Sequence, residues 1–147
     1  MRSYKKLILT AGASLALLLL AQPAFAANPH FIGTPTATQS GSTLTVKFKA
    51  AGLGNVPTAD FTVTGEAVVF SRCYTKSNNK PQAANKQETA ALSTSGSFPV
   101  RNGQTTGTLT LTAPAPTLVC PRGQRVVTES VSFQNVMLSG MGLTHSF

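Results

Sequence analysis

Glu66-Ala-Val-Val-Phe-Ser-Arg-Cys-Tyr-Thr-Lys-Ser-Asn-Asn-Lys-Pro-Gln-Ala-Ala-Asn-Lys-Gln-Glu88 is the stretch on which the fold turns. Its first half is apolar and opens with the unbroken run Ala67 to Phe70. A run of that kind fits a central strand facing core on both sides at its start. Its second half, Thr75 to Gln87, reads as a polar loop with Ser77, Asn78, Asn79 and Pro81. Cys73 stands at the junction, and the only other cysteine is Cys120.

The chain around this stretch is that of an exported protein. Arg2, Lys5 and Lys6 precede the apolar run Leu7 to Leu20, and Ala24-Phe25-Ala26 supplies a small-x-small cleavage site. This predicts a signal peptide over 1–26 and a single mature domain over 27–147. The run of about 14 apolar residues is short of the roughly 20 that a membrane span needs. No second run of spanning length follows, so no transmembrane segment is expected in the mature chain. No cysteine follows the cleavage site to carry a lipid. The predicted location is secreted, extracellular or periplasmic, where two cysteines pair by default. A Cys73–Cys120 bridge closes a loop of about 48 residues, worth about 4 kcal/mol by chain entropy.

Period-two patterning runs through the rest. Leu44, Val46 and Phe48 alternate with Thr45, Lys47 and Lys49, which predicts a strand with an apolar inner face and a cationic outer one. Phe61 and Val63 alternate with threonines, as do Leu109 and Leu111. Phe31 to Thr38, broken by Gly33 and Pro35, reads as a weak or edge strand. Thr89 to Ser93 and Gly96 to Arg101 read as one interrupted strand or two short ones, with Pro99 marking an edge. Asn102-Gly103 predicts a two-residue hairpin turn, with Thr105 to Thr112 as the return strand. Val126 to Val136 reads as a strand with Val127, Val131 and Phe133 on one face. Glu129 falls on that apolar face; it is expected near the strand's wet end or paired with a basic residue, since a lone buried carboxylate is costly. Met137 to Phe147 reads as a last strand weakened by Gly140 and Gly142.

Seven to nine short strands and no helix predict an all-β fold. An antiparallel β-sandwich of immunoglobulin-like arrangement is the leading expectation, and a small closed barrel is the alternative. With no tryptophan, the antibody-type Cys-Trp-Cys core is missing. An outer-membrane barrel ending at Phe147 is disfavoured by the short chain and the scarcity of aromatics.

Net charge is +8 at pH 7 over the whole chain. Without Arg2, Lys5 and Lys6, nine basic residues remain against Asp60, Glu66, Glu88 and Glu129, giving +5. Such a surface attracts anionic polymers. Arg72, Lys76, Lys80 and Lys86 lie among the amides Asn78, Asn79, Gln82 and Asn85, and the expected disulfide draws Arg122 and Arg125 toward them. These six cations form the candidate binding site. Cations beside amides suit sugar hydroxyls, carboxylates and phosphates. The expected partner is an anionic polysaccharide or cell-surface polymer. Sequence-specific nucleic-acid binding is disfavoured, since only Tyr74 stands near as an aromatic platform. The rival account is a solvated loop with no partner.

No catalytic residue, metal ligand set or cofactor is expected. His30 and His145 stand at opposite ends of the mature chain, the four acids are scattered, and no serine has a G-x-S-x-G context. Gly52-Leu53-Gly54-Asn55 lacks the rest of a phosphate-binding fingerprint. A small secreted hydrolase uniting a histidine with an acid, and an interaction module using an edge strand such as Phe31 to Thr38, are the alternatives.

Three runs, Asn79-Lys80-Pro81-Gln82-Ala83-Ala84-Asn85-Lys86, Phe98-Pro99-Val100-Arg101-Asn102-Gly103-Gln104 and Cys120-Pro121-Arg122-Gly123-Gln124, give the chain a family likeness. It resembles an uncharacterised group of small exported, two-cysteine, β-rich proteins, mainly bacterial. The resemblance implies fold and export and supplies no catalytic residue.

Overall fold

A computed structural model describes residues 27–147. The expected leader lies outside the described residues. The described residues are all β, with eight strands and no helix. They are β1 (His30–Phe31), β2 (Thr36–Ser40), β3 (Thr43–Ala51), β4 (Thr58–Thr75), β5 (Pro81–Pro99), β6 (Thr105–Thr112), β7 (Gln124–Gly140) and β8 (Leu143–Ser146). Two antiparallel sheets form a sandwich-like pair. In the first, β3 lies between β6 on one side and β2 and β1 on the other. The second has the order β5-β4-β7-β8.

The alternation of β3 works as its sequence predicts. Leu44, Val46, Phe48 and Ala50 are buried, while Lys47 and Lys49 are exposed. Ala59, Phe61 and Val63 of β4, Leu109 and Leu111 of β6, and Val136 and Leu138 of β7 complete the core. Phe48 and Phe61 lie 4.4 Å apart between ring centroids, and Phe98 meets Phe48 edge-on at 5.3 Å. The rings fit because a glycine lies beneath: a Cβ at Gly107 would sit 2.3 Å from the Phe48 ring.

β4, with 18 residues, is twice as long as β3, with 9. At about 3.4 Å per residue, roughly 30 Å of β4 therefore runs on beyond the first sheet. Its inner face stays buried along that extension, at Ala67, Val69, Ser71 and Cys73. The cover there is the segment 113–123 between β6 and β7. Ala113 is buried against Ala67 and Val69, and its amide donates to Ser42 O at 2.8 Å. Cys120 is bonded to Cys73, with Cα atoms 5.7 Å apart.

Several expectations are refined. The loop after Cys73 is shorter than 75–87: β5 starts at Pro81 and runs unbroken to Pro99, replacing the interrupted strand expected beyond it. It is an edge strand, as Pro99 implies. β4 is central, but its other face is not core, since Val68 and Phe70 are only half-buried. Asn102 and Gly103 do form the positive-φ turn, closed by an Arg101–Gln104 bridge. The return strand β6, however, crosses to the other sheet and pairs with β3. The last expected strand divides into the end of β7, a Met141-Gly142 turn with positive φ, and β8. In β7, Ser71 opposes Thr128 while Phe70 opposes Ser130, so Glu129 is an unopposed bulge residue. The bulge breaks the parity of the strand. Val131 opposes inward-facing Val69, whereas Val127 opposes Arg72 on the outer face.

Two variants test this packing. Phe61→Ala is expected to destabilise by about 3–5 kcal/mol in urea denaturation. Cys73→Ser with Cys120→Ser is expected to cost about 4 kcal/mol for the loop closed by cysteines 47 positions apart.

Candidate functional site

The six candidate cations fall into three settings. Lys76 and Lys80 lie in the tight β4–β5 turn, where Asn79 takes a positive φ of 53°. The turn is braced by Thr75, whose amide donates to Lys80 O at 3.0 Å and whose hydroxyl accepts from Lys80 N at 2.9 Å. Arg122 belongs to the turn that follows Cys120, where Gln124 N donates to Pro121 O at 3.1 Å. The two turns are joined: Lys76 N donates to Gly123 O at 2.9 Å, and Arg125 donates to the Asn79 side-chain oxygen. The disulfide lies just behind them. Lys76, Lys80, Arg122 and Arg125 therefore share one end of the long sheet, here called the tip. None of the four makes an ion pair with an acid among the described residues.

Arg72 sits behind the tip on the outer face of β4. Its guanidinium lies over the Phe70 ring at 5.6 Å, and its Nε is 3.7 Å from Glu129 Oε1. Tyr74 donates to the same carboxylate oxygen at 2.6 Å. That hydrogen bond, with partial desolvation and the charge of Glu129, raises the Tyr74 pKa above its ordinary value. The bulge explains how Glu129 avoids the core.

Lys86 is separate from the tip group. It opposes Ser71 and lies on the inner face of β5, away from Arg72. Its ammonium is 3.0 Å from Glu88 Oε1 and also donates to the Thr117 hydroxyl. Thr117 in turn donates to Glu88 twice, from its amide at 2.7 Å and from its hydroxyl. This latch fastens the covering segment to β5. The sequence gives little sign of it, because residues 29 and 31 positions apart meet only once the segment folds back. Those two hydrogen bonds, then the one from Lys86, lower the Glu88 pKa to about 2.

His145 packs edge-on against Phe31 and Phe147, and His30 Nδ1 lies 3.0 Å from Asn28 O. Among the described residues, no group of three or more His, Cys, Asp or Glu is placed to hold a metal ion. A groove of about 550 Å³ opens between the Gly41-Ser42 turn, Ala113 to Pro116 and the β7 bulge; Glu129 is its single ionisable lining residue.

The latch has a pH signature. A carboxyl whose folded pKa lies below its unfolded one stabilises the fold fully above the unfolded value, near 4.5. The contribution is lost as pH falls from there toward about 2. Between pH 4.5 and 2 the melting temperature of the wild type is expected to fall more steeply than that of Glu88→Gln. Parallel melting curves for the two proteins would remove the latch from the account.

No protein-family model, no curated protein and no solved structure matches the chain. Among the described residues, no helix is long and apolar enough to cross a membrane. The disulfide is compatible with an extracellular or periplasmic location.

Proposed function

We propose that this is a secreted, non-enzymatic β-sandwich module that binds an anionic polysaccharide or a similar cell-surface polymer at its tip. The observation that carries the reading is the union of Lys76, Lys80 and Arg122, on two mutually bonded turns, with Arg125 at the start of β7, none of them paired with an acid among the described residues. Charges held on a rigid support lose less conformational freedom on binding than charges on a loose loop. The amides of Asn78 and Asn79 lie between the lysines and suit sugar hydroxyls and sulfates. Lys86 is excluded from the contact surface because its charge is committed to Glu88. Arg72 flanks it. The immunoglobulin-like arrangement is part of the same proposal. It is supported by β2, β3 and β6 forming one sheet while β4, β7 and β8 share the other with β5 at the edge.

The test is elution from an immobilised sulfated polysaccharide at increasing salt. Lys76→Ala with Lys80→Ala and Arg122→Ala is expected to weaken binding about tenfold, at about 0.5 kcal/mol for each exposed contact. Lys47→Ala with Lys49→Ala removes two charges from the far sheet and is expected to change affinity little. Equal loss per charge at the two places would reduce the tip to a share of net charge and sink the proposal.

A further inference from the structure

Every antiparallel sheet must do something with its edges, because an unpaired strand presents a row of free N–H and C=O groups. In this fold most edges are guarded. The β2 edge is only five residues long, and Gln39 at that edge reaches across to donate to Val131 O at 2.7 Å. That same bond caps the free side of β7, which is also kinked by bulges at Glu129 and next to Asn135. β8 covers the other end of β7. On β6, Thr94 Oγ1 donates to Thr110 O at 3.0 Å.

β5 is the longest edge strand among the described residues. It pairs with β4 alone, and its register is continuous from Pro99 to Asn85. From Thr89 to Phe98 it carries no charge and no proline. Its first residues are guarded, since Asn85 donates to Ala83 O and Gln82 to Pro81 O. Among the described residues, no side chain caps the backbone from Gln87 to Phe98.

We infer that the Gln87–Phe98 edge of β5 is a pairing surface for a second copy of this chain, joined antiparallel about a two-fold axis. A self-complementary edge is what a two-fold interface needs. Charge does not oppose this occupant and selects this orientation. The basic tip lies at the Pro81 end of β5, so antiparallel pairing sends the two tips to opposite ends of the joined sheets. Parallel pairing would set them side by side. No charge of either copy meets its own image along Thr89 to Phe98. The paired length is about 40 Å, burying on the order of 400 Å² per partner, which places the dimer in the weak and concentration-dependent class. Two tips facing opposite ways would grip a polymer at two points. That consequence rests on the proposed polyanion binding; the pairing does not.

Sedimentation of the purified, oxidised protein from about 1 to about 500 µM is expected to show the mass doubling. Amide exchange over Gln87–Phe98 is expected to slow over the same range. Ala91→Lys with Ser93→Lys puts cations on exposed edge positions and is expected to leave a monomer with an unchanged melting temperature. A monomer at every concentration, a dimer that survives these lysines, or exchange slowed elsewhere would overturn the inference. So would a β5 edge that pairs only with another protein. A dimer without polyanion retention would leave the pairing standing and remove the proposed function, while retention by a strict monomer would do the reverse.

Discussion

The structure depends on one constraint: the inner face of β4 is buried for longer than the first sheet can cover. Ala59, Phe61 and Val63 are covered by β3 and β6. Ala67 and Val69 form a second cluster with Ala113, and Ser71 and Cys73 continue the buried row beyond it. Leaving that half bare would expose Ala67 and Val69 and leave the polar row beyond them without its partners on a three-stranded ribbon. The segment 113–123 solves this without forming a strand. An irregular segment has no sheet ladder to hold it, so it needs point attachments. The Ser42 carbonyl takes its start, the Glu88–Thr117 latch its middle and the Cys73–Cys120 bridge its end.

The same attachments build the tip. Because Cys120 is fixed to Cys73, the turn carrying Arg122 must lie beside the turn carrying Lys76, and the Lys76–Gly123 backbone bond follows. A demand of the core, covering the far half of β4, thus places cations from distant parts of the sequence on one surface. It also separates two kinds of lysine that composition makes equivalent. Lys86 is spent on holding the cover down, whereas Lys76 and Lys80 are held by their backbones and keep their ammonium groups facing solvent.

What the sequence made legible was whatever depends on local alternation or on counting. Leu44, Val46 and Phe48 reveal their face because one side of β3 is core and the other is water. Asn102-Gly103 reveals its turn because both residues tolerate positive φ. Two cysteines in a chain with a leader-like start leave one intramolecular pairing. The strand from Pro81 to Glu88 was hidden for the opposite reason. Its inward positions contact a polar latch instead of a core, so Lys86 and Glu88 occupy the places where alternation calls for apolar residues. The pairing of Glu129 with a basic residue, Arg72, was legible; its face was not, because period-two counting cannot see an inserted residue and one bulge reverses every assignment beyond it. The partner of β6 was likewise invisible, since an Asn-Gly turn fixes a reversal of direction and not which sheet receives the returning chain. Of the candidate site, four cations could be grouped from sequence only because the disulfide supplied a long-range restraint. Lys86 was grouped with them because the latch gives no local signal.

Edges and tip place opposite demands on the same ribbon. A long β5 in unbroken register with β4 carries the cationic turn about 30 Å past the first sheet, and that regularity is what leaves an edge open. β7, on the other side of β4, is bulged twice and capped by Gln39. Had β5 been blunted in the same way, by a bulge or an inward-pointing charge along Thr89 to Phe98, it would have twisted away from β4 and loosened the Thr94–Thr110 contact that ties the two sheets. The regularity of β5 is therefore explained by its duties toward β4 and β6. Its open side is a physical consequence of that regularity, whatever comes to occupy it.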